Sequence, residues 1–174
     1  MGGVEPHRPA RRGDTPMRLC NILWWCCFLP LALVAQMFVP GVDLLVVGLI
    51  IALQERDGRT LCWLAPLLVI LQEGIGSFAF GGMLLWYAAV AVLVQLGHWL
   101  FEVENFLFML LLGACLGATH WCLMHVLCAL QNATLDPRLL LVESLMQAAA
   151  VPVLWRIASW TRKWMGRYAL QPQQ

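Results

Sequence analysis

Apolar positions in this chain gather into six runs, and polar residues are confined to the gaps between them. The first run, 19–39, has the roughly 20 residues that cross a ~30 Å hydrocarbon core as a helix. Pro40-Gly41 closes it. Runs 44–53 and 61–71 follow, separated by QERDGR. The stretch LQEGIGSFAFGG (71–82) leads into 83–101, and EVEN (102–105) turns the chain into 106–130, the longest run. QNATLDPR (131–138) precedes the last one, 139–157. The pattern predicts an all-α integral membrane protein, a bundle of six transmembrane helices.

Runs two and three are short for this role. As helices rising ~1.5 Å per residue they reach only about 15 Å, half the apolar core. They can lengthen by recruiting flanks (40–43 and 74–80) while Arg56 and Arg59 reach back to the surface. A re-entrant hairpin would instead bury the charges of ERDGR, at a cost of several kcal/mol. The expectation is therefore two thin or tilted spans.

Composition agrees with the pattern. The chain is 61% hydrophobic and 12% charged, with a mean hydropathy of +0.74. Soluble domains are nearer ~45–50% apolar and ~25% charged. At 174 residues, six spans leave no length for a soluble catalytic module. Tryptophans near the ends of runs (Trp24, Trp25, Trp63, Trp86, Trp99, Trp155, Trp160) fit anchoring at membrane interfaces.

Charge placement gives the orientation. With the N-terminus inside, ten of the eleven Lys and Arg residues fall on the cytoplasmic side and only Arg138 falls outside. Both termini of this multi-pass membrane protein are thus expected in the cytoplasm. Residues 1–18 read as a disordered polar tail, 19–160 as the membrane domain, and 161–174 as a basic C-terminal tail. The basic segment before the first run resembles a signal peptide, but no A-x-A site follows it, so an uncleaved first helix is expected. The net charge of +1 gives no reason to expect nucleic acid.

Candidate chemistry is sparse. Seven cysteines lie mostly within apolar runs without any CxxC, and are expected to pack as small hydrophobes. His98 and His120 sit at different depths, and His120 and His125 point about 140° apart on a helix. No metal or cofactor is expected from them. Ser77, Ser144 and Ser159 are the serines in or beside the spans, none in a nucleophile motif, so no catalytic residue is assigned. Glu102 and Glu104 read as solvated turn residues. The glycines of GIGSFAFGG lack the lysine and preceding strand of a phosphate loop. Gly113-Ala-Cys-Leu-Gly117 is a GxxxG, a shallow groove for helix packing within the bundle or with a partner. Gln72, Glu73, Gln95, Glu143 and Gln147 are the polar residues that a pocket would use, with Glu73 and Glu143 both near the outer face.

In order of features the chain resembles the rod shape-determining protein MreD family. Pro40-Gly-Val-Asp43-Leu-Leu is similar to the start of that family's second span, and QERDGR to its short basic loop. Gln72-Glu73-Gly74-Ile-Gly76-Ser77-Phe-Ala-Phe-Gly81 resembles its acidic, glycine-containing turn, with Gln72 where the family has aspartate and one extra residue before Gly81. Phe101-Glu-Val-Glu-Asn105 is similar to the turn before the fifth helix, and Pro152-Val-Leu-Trp155 with Arg156 and Arg162-Lys163 to the family's C-terminus. The resemblance covers about 36–168. It implies a non-enzymatic adaptor of the cell-elongation machinery, needed for rod shape and lateral peptidoglycan synthesis. The implied partners are MreC, MreB, RodA and the elongation-specific transpeptidase, and the stretch 71–82 is then a tight outer turn. The alternative is a substrate-binding subunit of an energy-coupling-factor vitamin transporter, whose fold the MreD fold resembles. Glu73 and Glu143 would then line a ligand pocket.

Overall fold

The structure, a computed structural model, describes residues 14–39, 41–55, 58–75, 81–100, 106–131 and 136–169. Among them every regular element is an α-helix: α1 (Asp14–Phe38), α2 (Leu45–Gln54), α3 (Gly58–Ile75), α4 (Gly82–Leu100), α5 (Phe106–Gln131) and α6 (Pro137–Ala169). Four of them hold segments long and apolar enough to cross a membrane: 19–38 in α1, 82–99 in α4, 106–131 in α5 and 137–165 in α6. Large apolar side chains stand exposed along these helices, among them Leu31, Leu84, Leu110 and Leu145. Water does not tolerate so extended an apolar surface, whereas lipid does.

The two short runs behave differently from each other. The third run is extended on both sides, from 58 and as far as 75, so that α3 reaches 18 residues, or ~27 Å at the helical rise. The second run stays at 10 residues as α2, ~15 Å long. Residues Leu45 to Ala52 of α2 are all buried, and α1, α3, α4 and α6 pack around it. A helix apolar on every side belongs in a core, and one enclosed by protein need not match the thickness of lipid.

Both ends of α2 are tied by polar contacts. At its C-terminal end, Gln54 Oε1 accepts from Trp155 Nε1 at 2.7 Å, and Gln54 Nε2 meets Met109 Sδ at 3.6 Å. Next to it, Glu55 pairs with Arg162. The Arg162 guanidinium also donates to Asn21 Oδ1 at 2.9 Å and lies 4.7 Å over the Trp24 ring. Asp43 ties the other end.

These contacts correct the expected boundaries. Residues 161–169, read as a tail, continue α6, because Arg162 reaches α1 and α2 and Thr161 Oγ1 accepts from Trp24 Nε1 at 3.4 Å. At the N-terminus the helix already runs from Asp14, so 14–18 is helical rather than tail. Pro16, in the first turn, sacrifices no intrahelical bond. The rest of that tail, 1–13, lies outside the described residues.

The tightest pairing in the bundle is α5 with α6. A Cβ on Gly113 would come within 2.5 Å of the Ala148 carbonyl oxygen, and one on Gly117 within 2.6 Å of the Ser144 carbonyl oxygen. Both glycines of the GxxxG thus face α6 of the same chain, and their missing side chains let the two backbones approach.

Candidate functional site

Asp43 lies in the short connection between α1 and α2, after Gly41, whose φ is +83°. Glycine adopts that left-handed conformation without strain, and it turns the chain so that Asp43 reaches the start of α2. There its Oδ1 accepts from the backbone N–H of Leu45 at 3.0 Å, as an acid at a helix N-terminus does.

Two glutamines converge on the same oxygen. Gln36 Nε2 of α1 donates to Oδ1 at 3.0 Å, and Gln72 Nε2 of α3 at 2.8 Å. Oδ2 accepts from Trp86 Nε1 of α4 at 3.0 Å. Tyr87 turns its buried phenol toward the carboxylate and Gln72 without completing a hydrogen bond. The backbone of Asp43 is held as well: its N–H donates to Gln147 Oε1 of α6 at 2.7 Å, and its carbonyl accepts from Gln147 Nε2 at 3.1 Å. Gln147 is fully buried and Gln72 nearly so.

One acid therefore gathers α1, α2, α3, α4 and α6. Four N–H donors point at this carboxyl group, three at Oδ1 and one at Oδ2. A cation would find hydrogens aimed at it. The arrangement is suited to fixing helix positions.

A second polar contact adjoins the first. His120 stands edge-on to Trp86, with ring centroids 5.3 Å apart at 75°, and its Nδ1 is 3.2 Å from Ser144 Oγ. The contact joins a serine of α6 to a histidine of α5. Ser144 Oγ is also within hydrogen-bond reach of the Leu140 carbonyl, 2.8 Å away. Here the pair links α5 to α6 beside Gly117.

The remaining candidates disperse. Glu73 Oε1 accepts from the Gly81 N–H at 2.7 Å and closes the connection between α3 and α4. Glu143 packs at Gly41, where a Cβ would meet its Cγ at 2.4 Å. Gly74 lies in the last turn of α3, with nothing within 4 Å of an added Cβ among the described residues, whereas Gly76, Ser77, Glu102 and Glu104 lie outside the described residues. Gln95 is exposed on α4. His125 is exposed and packs on Trp121, with centroids 4.2 Å apart. Among the described residues no three His, Cys, Asp or Glu side chains gather as metal ligands. Of the cysteines only Cys128 is buried; Cys26, Cys27, Cys62, Cys115 and Cys122 are exposed on the apolar surface instead of filling the core.

No protein-family model, curated protein or solved structure matches the chain. What fold and composition define is a helical membrane protein that crosses the bilayer several times.

Proposed function

We propose that this protein is a non-enzymatic adaptor of the bacterial cell-elongation complex, of the MreD type, in which all six helices form the membrane domain and both termini face the cytoplasm. The observation that carries the reading is the 2.8 Å hydrogen bond between Asp43 and Gln72. These are polar positions in two of the segments that carry the resemblance to MreD, and they meet. An adaptor needs a rigid bundle with a defined outer surface, and a carboxylate filled by donors from several helices supplies rigidity. In this orientation the Arg162 end of α2 is cytoplasmic and Asp43 lies ~15 Å deeper.

The test is purification of the tagged protein in mild detergent from its own cells, followed by mass spectrometry of what remains bound. MreC, RodA or the elongation-specific transpeptidase is expected. Recovery of a transporter's coupling subunit with its ATPases would overturn the proposal in favour of the vitamin-transport reading.

A further inference from the structure

At the Asp43 end of the bundle stand the acids Asp43, Glu73, Asp136 and Glu143, and Arg138 is the one Lys or Arg there among the described residues. Three of the acids are engaged: Asp43 by its donors, Glu73 by the Gly81 N–H and Asp136 by the Arg138 N–H. Glu143 packs beside Gly41, but its carboxylate makes no hydrogen bond or ion pair among the described residues, and neither does the Arg138 guanidinium. Both belong to α6, near the start of its apolar segment at Pro137. Five residues apart, they point about 140° away from each other around the helix, so they do not serve as each other's partner. Ionisable side chains in a membrane-crossing segment call for a partner.

Between the two charges runs an apolar seam. Leu139, Val142, Met146, Ala149 and Val153 are all exposed and recur at alternating intervals of three and four residues. They lie opposite the side of α6 that Ser144, Gln147 and Val151 bury in the bundle. This is the a and d pattern of a heptad, and with Leu139 at a, Arg138 falls at g and Glu143 at e. In a parallel helix pair, a g residue of one helix faces the e residue five positions further along its neighbour, and oppositely charged side chains there set partner and orientation. Every span shows lipid an apolar face; what distinguishes α6 is the unpaired charge of each sign flanking the seam.

Two copies inserted alike share one orientation in the membrane, so a two-fold axis along the bilayer normal sets α6 parallel to α6 and makes the contacts reciprocal. Beyond Val153 the next d position is Arg156, where like charges would face each other. The contact is therefore confined to the two heptads nearest the Asp43 end. We propose that this face of α6 binds a second copy of the chain, with Arg138 of each copy paired to Glu143 of the other across the seam from Leu139 to Val153. The proposal requires only that the chain crosses a membrane and is independent of any role in cell elongation.

Energy transfer between full-length chains carrying donor or acceptor dyes at the C-terminus, in phosphatidylcholine vesicles at falling protein-to-lipid ratios, tests it. The unaltered chain should form a reversible dimer. Arg138→Glu and Glu143→Lys should each weaken association about tenfold, as the loss of two reciprocal ion pairs implies. Mixed together, the two variants should associate as the unaltered chain does, because each supplies the charge that the other has lost. Should Glu143→Lys fail to fold against Gly41, Ala149→Phe adds bulk at an exposed position and should separate the helices while leaving the bundle intact. A chain that is monomeric at every dilution overturns the proposal. A dimer indifferent to both Arg138→Glu and Ala149→Phe is built on another face and overturns it too. A mixture of Arg138→Glu and Glu143→Lys that associates no better than either alone overturns the ion pairing.

Discussion

Gln72 and Asp43 meet at 2.8 Å, side-chain amide to carboxylate, although 29 residues separate them in sequence. The bond passes from the last turns of α3 to the residue that opens α2. Glu55 and Gln54 hold the other end of α2 to α6. A ten-residue helix is too short to be stable on its own. Here burial drives it into the core, and the polar ends fix its register there.

Replacing Asp43 should be the most damaging single change at this site. Asp43→Ala removes the acceptor and leaves the donors of Gln36, Gln72 and Trp86 without it. Each unsatisfied buried donor costs about 1–3 kcal/mol, though not additively. Asp43→Asn keeps one acceptor oxygen but sets an NH2 group among donors, and should be intermediate. Gln72→Leu leaves the carboxylate its other three donors and should be mildest. Thermal unfolding of the purified protein in detergent should rank them in that order, and three indistinguishable midpoints would remove Asp43 as the centre of the bundle.

The α5–α6 contact makes a separate prediction. A methyl at Gly113 meets a backbone carbonyl of α6 at 2.5 Å and Pro152 Cδ at 3.0 Å. Backbone cannot yield as a flexible side chain does, so the helices must part along their length. Gly113→Ala and Gly117→Ala should each destabilise the fold by about 1–3 kcal/mol, the range of overpacked cores, and leucine should do worse. A bundle whose melting is unmoved by Gly113→Leu would mean that α5 and α6 are not in contact there.

Much of the fold was legible in the sequence, and the reason is physical: lipid-facing helices advertise themselves by unbroken apolar runs. Hydropathy located all six helices, but it did not tell α3, which lengthens to 18 residues, from α2, which stays at ten. It missed the extension of α6 through Arg162, since a basic run after a span looks like a solvated tail until Glu55 and Asn21 supply partners. The polar site was legible only in pieces. Gln72 and Gln147 stood out as polar residues in apolar surroundings, and Asp43 as part of a resemblance. Nothing local says that they meet, because Gln147 is 104 residues from Asp43. Gln36 and Trp86 passed unnoticed, one as an isolated amide and the other as an interfacial anchor.

Arg162 and Glu55 should not contribute equally, although they form one ion pair. Their side chains are 17% and 36% exposed, so solvent screens the charge attraction and the pair alone is worth at most about 1 kcal/mol. Glu55→Gln should therefore cost little. Arg162→Ala also loses the bond to Asn21 and the contacts over Trp24 and Trp25, the latter worth about 0.5–1 kcal/mol at exposed sites. It should cost clearly more than Glu55→Gln in the same unfolding measurement. Equal losses would mean that the aromatic and Asn21 contacts contribute nothing.

Gly41 and Gly81 separate backbone strain from steric overlap. Both have positive φ, +83° and +98°, where a β-carbon is strained. Around Gly81 a Cβ would meet nothing within 4 Å among the described residues, whereas at Gly41 it would meet Glu143 Cγ at 2.4 Å. Gly81→Ala should cost only the conformational penalty, on the order of 1 kcal/mol. Gly41→Ala adds the overlap with Glu143, and it sits two residues before Asp43, so a shifted turn also moves the carboxylate away from Gln72. Its cost should exceed that of Gly81→Ala by a margin that Glu143→Ala reduces when the two changes are combined. If Glu143→Ala restores nothing to Gly41→Ala, the turn is limited by its backbone alone, and Glu143 has no part in positioning Asp43.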